Sequence, residues 1–216
     1  MSDKIKAFNT VAGFYDDWYN HPQGKQVFEA EKKAVNHMIP QRGVGVEIGA
    51  GTGVFAESLT TEDRIIICVD PSAEMLRNAK ERDLPCILGY GDFISLRKSL
   101  IDFSYMITVL EFLNDPIKLF REIKDTSKKT HVFSVLFINS ESSWGDLYRE
   151  IGAKGDTVFQ HAKLYSIDEV SEALKKAGYV VSDVKGTLNS DPMNQEVDGN
   201  LVEPNKISGV LIFKAE

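Results

Sequence analysis

The sequence predicts an α/β fold in which helices cover both faces of a mostly parallel sheet. The order of apolar runs and helical segments along the chain supports this prediction. Largely apolar runs rich in β-branched residues, such as 65–69 and 131–138, alternate along the chain with segments of helical periodicity. Strands that are apolar on both faces are typical of buried parallel sheets. Ligands of such folds bind beyond the carboxyl ends of the strands, so functional residues are expected there.

Strands are predicted from apolar runs bounded by glycine, proline or polar residues. In chain order they cover 44–49, 65–69, 86–88, 101–107, 131–138, 179–187 and 207–214. No helix is predicted between the last two strands, so we expect them to pair antiparallel as an appended hairpin. The polar stretch 189–205 between them contains two prolines and is predicted to be a long mobile loop.

Helices are predicted where apolar residues recur at helical spacing beside capping signals. Ser72 and Ser166 are expected N-caps, and Pro116 suits the first turn of a helix. Pro40 and Gly178 are expected to end helices. The predicted helices cover 23–38, 53–59, 72–82, 116–123, 141–152 and 167–177, and 153–164 is predicted to be a loop.

Composition excludes several classes of protein. The 216 residues carry 25 basic and 32 acidic side chains, a formal net charge of −7, which disfavours nucleic acid as a partner. Cys68 and Cys86 both lie in apolar runs, which predicts a reduced, cytoplasmic protein without disulfides or a radical iron–sulfur cluster. No metal site is predicted. Neither a signal peptide nor a membrane span is expected, because the apolar runs are too short.

The first predicted strand runs into a glycine-rich loop, Glu47-Ile-Gly49-Ala-Gly51-Thr-Gly53. Glycine accepts a positive φ and lets a ligand approach the backbone closely. The stretch from Gly51 to Ala56 satisfies the dinucleotide fingerprint G-x-G-x-x-G/A, which is a weak pattern by itself. The Glu47 carboxylate would repel a diphosphate and attract an ammonium group. The loop has no lysine, so it is not a phosphate-binding P-loop.

Two further acidic residues follow predicted strands. Asp70 ends the second strand, where a carboxylate can accept both hydroxyls of a ribose. Asp92 follows the third strand and could accept a hydrogen bond from an adenine amine, against which Phe93 could pack. A dinucleotide site uses the first of these carboxylates but has no standing need for the second. Together they favour a different nucleoside cofactor.

These motifs resemble four successive motifs of the class I S-adenosylmethionine (SAM) dependent methyltransferases, small-molecule type. They are E-x-G-x-G-x-G at 47–53, VDPS at 69–72, GDF at 91–93 and IDFSYMITVLEFLND at 101–115. With the terminal strands the resemblance covers about 40–216. It implies a Rossmann-like three-layer sandwich whose seven strands lie in the order 3-2-1-4-5-7-6, with strand 7 antiparallel. It also implies SAM as the cofactor and S-adenosylhomocysteine as the product.

By this resemblance the motifs supply the cofactor site, and segment 14–20 resembles an N-terminal helix that covers the cofactor. The implied cofactor-binding residues are Tyr15, Glu47, Gly49, Gly51, Gly53, Asp70, Pro71, Met75, Gly91, Asp92, Phe93, Thr108 and Val109. The substrate-side candidates are Tyr19, Glu111, Trp144 and His161. Core packing of Met75 and Trp144, and solvent exposure of Glu111 and His161, are open alternatives. No catalytic residue is assigned, although Tyr15, Glu111 and His161 are candidates for a base.

The expected reaction is in-line displacement of the sulfonium methyl group by a nitrogen, oxygen or sulfur atom of a small molecule. The chain lacks the Asn/Asp-Pro-Pro-aromatic segment after strand 4 and a cysteine nucleophile, which disfavours methylation of nucleobases. The alternatives are a protein or RNA methyltransferase, an NAD(P)-dependent oxidoreductase and a non-catalytic SAM-binding protein. We expect one domain over 1–216, with a helical cap at 1–42 and a substrate-side insert at 140–165, as a monomer or homodimer.

Overall fold

The computed structural model describes residues 2–90 and 100–216 of the chain. The strands are β1 (Gly43–Ile48), β2 (Arg64–Asp70), β3 (Cys86–Leu88), β4 (Phe103–Ile107), β5 (Val132–Ile138), β6 (Val181–Thr187) and β7 (Val210–Ala215). The helices are α1 (Asp3–Val11), α2 (Asp17–Asn20), α3 (Pro22–Met38), α4 (Val54–Leu59), α5 (Ala73–Glu81), α6 (Pro116–Thr126), α7 (Ser143–Ala153) and α8 (Ile167–Lys176). Short 3₁₀ turns occur at Leu110–Phe112 and Phe159–His161.

The strands form one sheet in the order β3-β2-β1-β4-β5-β7-β6. The pairs among β1 to β5 are parallel, and β7 runs antiparallel to both β5 and β6. The predicted fold class, strand order and antiparallel hairpin are therefore confirmed. From β1 the chain continues to β2 and β3, towards one edge of the sheet. From β4 it continues to β5, towards the other edge. The switch point between these two strands is where open α/β sheets bind their ligands.

Alternate residues of the buried strands face two separate apolar layers, as the pleat of a strand requires. On β4, Phe103 and Tyr105 face a layer built with α3, α4 and α5, whereas Met106 faces a layer built with α6 and α8. All three side chains are fully buried. This three-layer arrangement explains why β4 is apolar along both of its faces.

β4 begins at Phe103, two residues after its predicted start. The Asp102 carboxylate accepts the backbone N–H of Val44 at 2.9 Å and an Nζ hydrogen of Lys128 at 2.6 Å. A side-chain oxygen thus takes a place that a strand carbonyl would fill. The backbone of Asp102 itself already bonds to Val44 and Val132, so this residue marks the beginning of the pairing with the neighbouring strands.

The last two strands also start later than predicted, at Val181 and Val210. In the segment before β7, the Asn205 side-chain oxygen accepts the N–H groups of Ile207 and Ser208, which forms a turn where a strand was predicted. The remaining helix and strand ends agree with the prediction to within three residues.

The stretch 189–205 contains no helix or strand, but it is fastened to α3. The Gln26 side chain donates to the carbonyl of Gln195 at 3.2 Å and accepts the N–H of Val197 at 2.8 Å. A single bridge pairs Gly186 with Val202. This loop is therefore part of the layer outside α3. Within the described residues, no helix is both long and apolar enough to cross a membrane.

Candidate active site

A cavity of about 370 Å³ opens at the carboxyl ends of β1, β2 and β4, the sheet edge where the sequence predicts a site. Sites for small molecules usually measure about 300–1,000 Å³. The walls come from the glycine loop, the end of β2, the segment after β4 and α1. The predicted site residues that line it are Tyr15, Gly49, Gly51, Asp70, Pro71, Met75, Thr108 and Val109.

Two glycines of the loop shape the cavity in different ways. Gly49 has φ of +70°, and a Cβ there would lie 2.4 Å from Cγ2 of Val109, so the loop closely approaches the segment after β4. Gly51 has φ of +55°, and no described atom lies within 4 Å of its Cβ position. Because Gly51 lines the cavity, the cavity itself provides this open space.

Asp70 organises the loop from the end of β2. Its Oδ2 accepts the N–H of Gly51 at 2.8 Å, and its Oδ1 accepts the N–H of Ser72 at 2.7 Å. Burial raises the pKa of Asp70 to about 6, and the two backbone hydrogen bonds oppose this rise. The carboxylate therefore connects the glycine loop to the start of α5, and it also lines the cavity.

The backbone turns sharply where the chain leaves β4. Thr108 has φ of +49°, a left-handed conformation that is uncommon for a β-branched residue. Its N–H still donates to the carbonyl of Leu136 at 2.9 Å, so the turn begins only after the last sheet hydrogen bond. The turn brings Val109 against Gly49. Such backbone strain often accompanies ligand sites.

Part of the cavity wall comes from α1, a helix that the sequence analysis did not identify. Its cap and its inner face, represented by Ser2, Ile5 and Phe8, line the cavity. The side chain of Ser2 accepts the N–H of Ile5. The capping serine and the apolar residues at positions 5, 8 and 12 were the available signal.

Polar contacts fasten α1 to both sides of the cavity. Lys4 Nζ donates to the carbonyl of Phe112 and to Oδ1 of Asn114, each at 2.9 Å. On the other side, the Ser72 hydroxyl donates to Oδ1 of Asn9 at 2.7 Å. These bonds connect α1 to the segment after β4 and to the start of α5.

The segment between α1 and α2 is held by a polar contact that we call the Asp16 latch, formed by Asp16, Thr52 and Arg82. Asp16 accepts the Thr52 hydroxyl at 2.6 Å and an Arg82 guanidinium hydrogen at 2.6 Å. Arg82 also donates to the backbone carbonyl of Thr52 at 3.1 Å. Tyr15, next to the latch in sequence, lines the cavity. The latch therefore positions Tyr15 relative to the glycine loop.

We expect the substitution Asp16→Ala to loosen this segment. The lost bonds are partly exposed, so we expect an effect of about 1 kcal/mol, which is roughly a fivefold change in the open population. Chymotrypsin cleavage after the exposed Phe14 and Trp18 should accelerate by that factor. Asp17→Ala, on an exposed neighbour, is the matched control. Equal cleavage rates for both variants would contradict a holding role for the latch.

Glu47 does not line the cavity. Its carboxylate is 2% exposed and accepts the hydroxyl of Tyr105 at 3.0 Å within the layer under α3 and α4. Burial raises its pKa to about 8, while the Tyr105 hydroxyl and the Ala56 N–H lower it. Strand alternation places Ile48, the next residue, at the cavity instead.

Of the other predicted residues that the structure describes, Tyr19, Gly53, Trp144 and His161 do not line the cavity. Gly53 packs against Leu84 and Ala79. Trp144 is fully buried and its Nε1 donates to the carbonyl of Ser190 at 2.8 Å, so it belongs to the core. His161 is half-buried on a 3₁₀ turn. The prediction for Gly91, Asp92 and Phe93 falls outside the described residues.

Glu111 is buried, and the alternative of a solvated loop acid is therefore wrong. It lies on the 3₁₀ turn two residues beyond Val109 and is 1% exposed. Its Oε1 accepts the N–H of Ile138 at 2.7 Å, whereas its Oε2 has no hydrogen-bond partner among the described residues. Burial raises the pKa of Glu111 to about 7, against the effect of backbone hydrogen bonds. Near neutral pH this carboxyl can therefore bind or release a proton.

Other proteins share this sequence and fold. Residues 24–184 match a family model described as a methyltransferase domain. An uncharacterized protein of Methanocaldococcus jannaschii is 32% identical over 175 residues, which cover 81% of this chain and 82% of the relative. An uncharacterized methyltransferase of Bacillus pumilus is 23% identical, with 83% and 84% covered.

A crystal structure from Thermotoga maritima is similar over nearly the whole chain. It superimposes with a TM-score of 0.84 at 25% sequence identity and covers 98% of both chains. That protein is described as a SAM-dependent methyltransferase, a possible histamine N-methyltransferase. The family match covers more than half of this chain, and the strand order is the one that the motifs implied. The chain therefore belongs to the class I SAM-dependent methyltransferases.

Proposed function

We propose that this protein transfers a methyl group from SAM to a nitrogen, oxygen or sulfur atom of a small molecule, and that the cofactor binds in the 370 Å³ cavity. One observation supports this most strongly. The Asp70 carboxylate holds the N–H of Gly51 on a cavity wall that Thr108 and Val109 complete. Motifs far apart in the sequence thus meet around one space.

The residues of the cavity suit the cofactor. Each oxygen of Asp70 accepts one backbone N–H and has a further lone pair, so the carboxylate can accept the two hydroxyls of a ribose. Open space at Gly51 leaves room for the methionine part of the cofactor. Pro71 and Met75 present apolar surface for the adenine base. We do not propose a direct contact for Glu47, because Tyr105 already holds its carboxylate.

When bound, SAM supplies an electrophilic methyl group, so the protein mainly has to position an acceptor and exclude water. Phe8 and Phe112 line the cavity, with their rings edge to face at 5.0 Å. Lys4 connects α1 to this wall by donating to the carbonyl of Phe112. Tyr15 and Glu111 are the groups that we propose to hold the acceptor or its proton.

Several observations favour a small acceptor. Residues from α1 and from segment 14–20 contribute to the cavity wall, so we propose that 1–42 is a cap over the site within a single domain. The net charge of −7 is unfavourable for a polyanionic partner. The similar Thermotoga protein is described as a possible histamine N-methyltransferase, and histamine is a small molecule.

Calorimetry on purified protein tests the cofactor site. We expect S-adenosylhomocysteine to bind with micromolar affinity and NAD not to bind. Asp70→Ala should weaken this binding by roughly 1–3 kcal/mol, because charge-assisted hydrogen bonds are lost. Asp168→Ala, an exposed residue at the start of α8, is the control. Unchanged affinity in a folded Asp70→Ala variant would show that the site is assigned wrongly.

A further inference from the structure

Two carboxyl groups of the described residues are buried without a cationic partner. Glu31, on the inner face of α3, is 6% exposed, and Glu111 is 1% exposed. Within the described part of the chain neither forms an ion pair, and Oε2 of Glu111 accepts no hydrogen bond. Burial, and secondarily the charge of Glu111, raises the pKa of Glu31 to about 8. Electrostatic repulsion between the two carboxyl groups is thus a smaller cause of this rise than burial.

Aromatic rings border this acidic pair. Successive ring centroids run from Tyr19 to Tyr15 at 6.4 Å, Phe8 at 6.4 Å, Phe112 at 5.0 Å, Phe159 at 6.2 Å and Tyr148 at 4.5 Å. We call this series the aromatic wall. The pKa values of Tyr15 and Tyr148 rise above the usual tyrosine range because of burial and then because of the charges of Glu31 and Glu111, among others. Both carboxyl groups therefore lie within electrostatic reach of the wall.

The aromatic wall reaches the cavity proposed for the cofactor. Three members of the aromatic wall, Phe8, Tyr15 and Phe112, also line the cavity. Glu111 follows Val109, a cavity residue, by two positions. A ligand group located between Glu31 and Glu111 would thus be next to the end of β4.

Burying two carboxyl groups without a counter-charge is unfavourable, and no ion pair among the described residues offsets this cost. An ammonium group would remove this cost, since it can donate to both carboxylates. Aromatic faces attract cations as well. This inference rests on the proposed function. We infer that the acceptor is a small amine that enters as a cation, and that its nitrogen is held between Glu31 and Glu111 next to the aromatic wall.

The transfer step balances with these groups. The ammonium first gives a proton to the Glu111 carboxylate, which leaves a lone pair on nitrogen. That lone pair forms the new N–C bond as the C–S bond breaks, and the electrons of the broken bond stay on sulfur. The positive charge passes from sulfur to nitrogen. A carboxyl group whose pKa is about 7 suits this proton transfer at neutral pH.

Binding of amines to the S-adenosylhomocysteine complex tests this inference without measuring activity. The probes are histamine, 2-phenylethylamine and tyramine, each beside the alcohol that has a hydroxyl in place of the amine. We expect at least one amine to bind tenfold or more tightly than its alcohol. Glu31→Gln and Glu111→Gln should each weaken that amine at least tenfold. Glu29→Gln, on the exposed face of the same helix, should not.

The outcomes separate the two proposals. If S-adenosylhomocysteine binds but none of the amines does, or if the alcohols bind equally well, the amine inference is overturned and the cofactor site stands. Retained amine affinity in both glutamine variants would overturn it too. If S-adenosylhomocysteine itself fails to bind the folded wild-type protein, the proposed function fails. Thermal unfolding of each variant confirms that it is folded.

Discussion

Replacing Gly51 with valine is expected to abolish measurable binding of S-adenosylhomocysteine, a loss of roughly 100-fold or more. The Cβ position of this residue has no described atom within 4 Å, and the residue lines the cavity. A branched side chain there would therefore occupy ligand volume rather than disturb the core. Calorimetry with S-adenosylhomocysteine measures the loss directly.

A control is needed because valine at a positive φ also strains the backbone, by about 1–2 kcal/mol. Gly155 has φ of +87° and likewise no described atom within 4 Å of its Cβ position, but it does not line the cavity. Gly155→Val should therefore lower the unfolding temperature about as much as Gly51→Val while leaving ligand affinity unchanged. Equal affinity in the two variants would contradict the proposed position of the cofactor.

Glu31→Gln is expected to stabilise the unliganded protein at pH 8 and to do so much less at pH 5. Burial raises the pKa of Glu31 from 4.5 to about 8. Below pH 4.5 the carboxyl is protonated in both states, so its contribution to stability is fully present. Above pH 4.5 the unfolded chain releases this proton while the folded protein keeps it. The contribution to stability is therefore lost as the pH rises to about 8. Glutamine does not titrate.

Thermal unfolding of wild-type protein and variant between pH 4.5 and 8.5 measures this effect. The difference in unfolding free energy should grow with pH by an amount on the order of 2–4 kcal/mol. One kcal/mol corresponds to about 2–4 °C in a chain of this length. Glu29→Gln should show no such trend, since Glu29 is exposed. A difference independent of pH would mean that Glu31 is solvated in the folded protein.

The sheet was predictable because its signals are local. Apolar runs, the glycine loop and the caps at Ser72 and Ser166 each specify an element from a few neighbouring residues, and both serines cap the expected helices. The order of the strands came from the family resemblance. The role of Asp102 at the start of β4 was not predictable, because its carboxylate accepts the N–H of Val44, 58 residues away.

The candidate site was predictable where a motif ends a strand. Gly51, Asp70 and Val109 all line the cavity. Glu47 was expected there on the basis of its charge, but strand alternation places its carboxylate on the opposite face with Tyr105. The contribution of α1 was not predicted, because polar residues separate its apolar residues and the helix does not follow a strand.

The sequence by itself determined that this is a class I methyltransferase fold and which sheet edge carries the cofactor motifs. Both conclusions rest on patterns within short segments. Only the tertiary structure decided that Glu31 and Glu111, 80 residues apart, are both buried and that their charges interact. In the sequence Glu31 looks like one more polar residue of a surface helix. Burial and the resulting pKa depend on everything that packs around a side chain, and segments distant in the chain supply most of that packing.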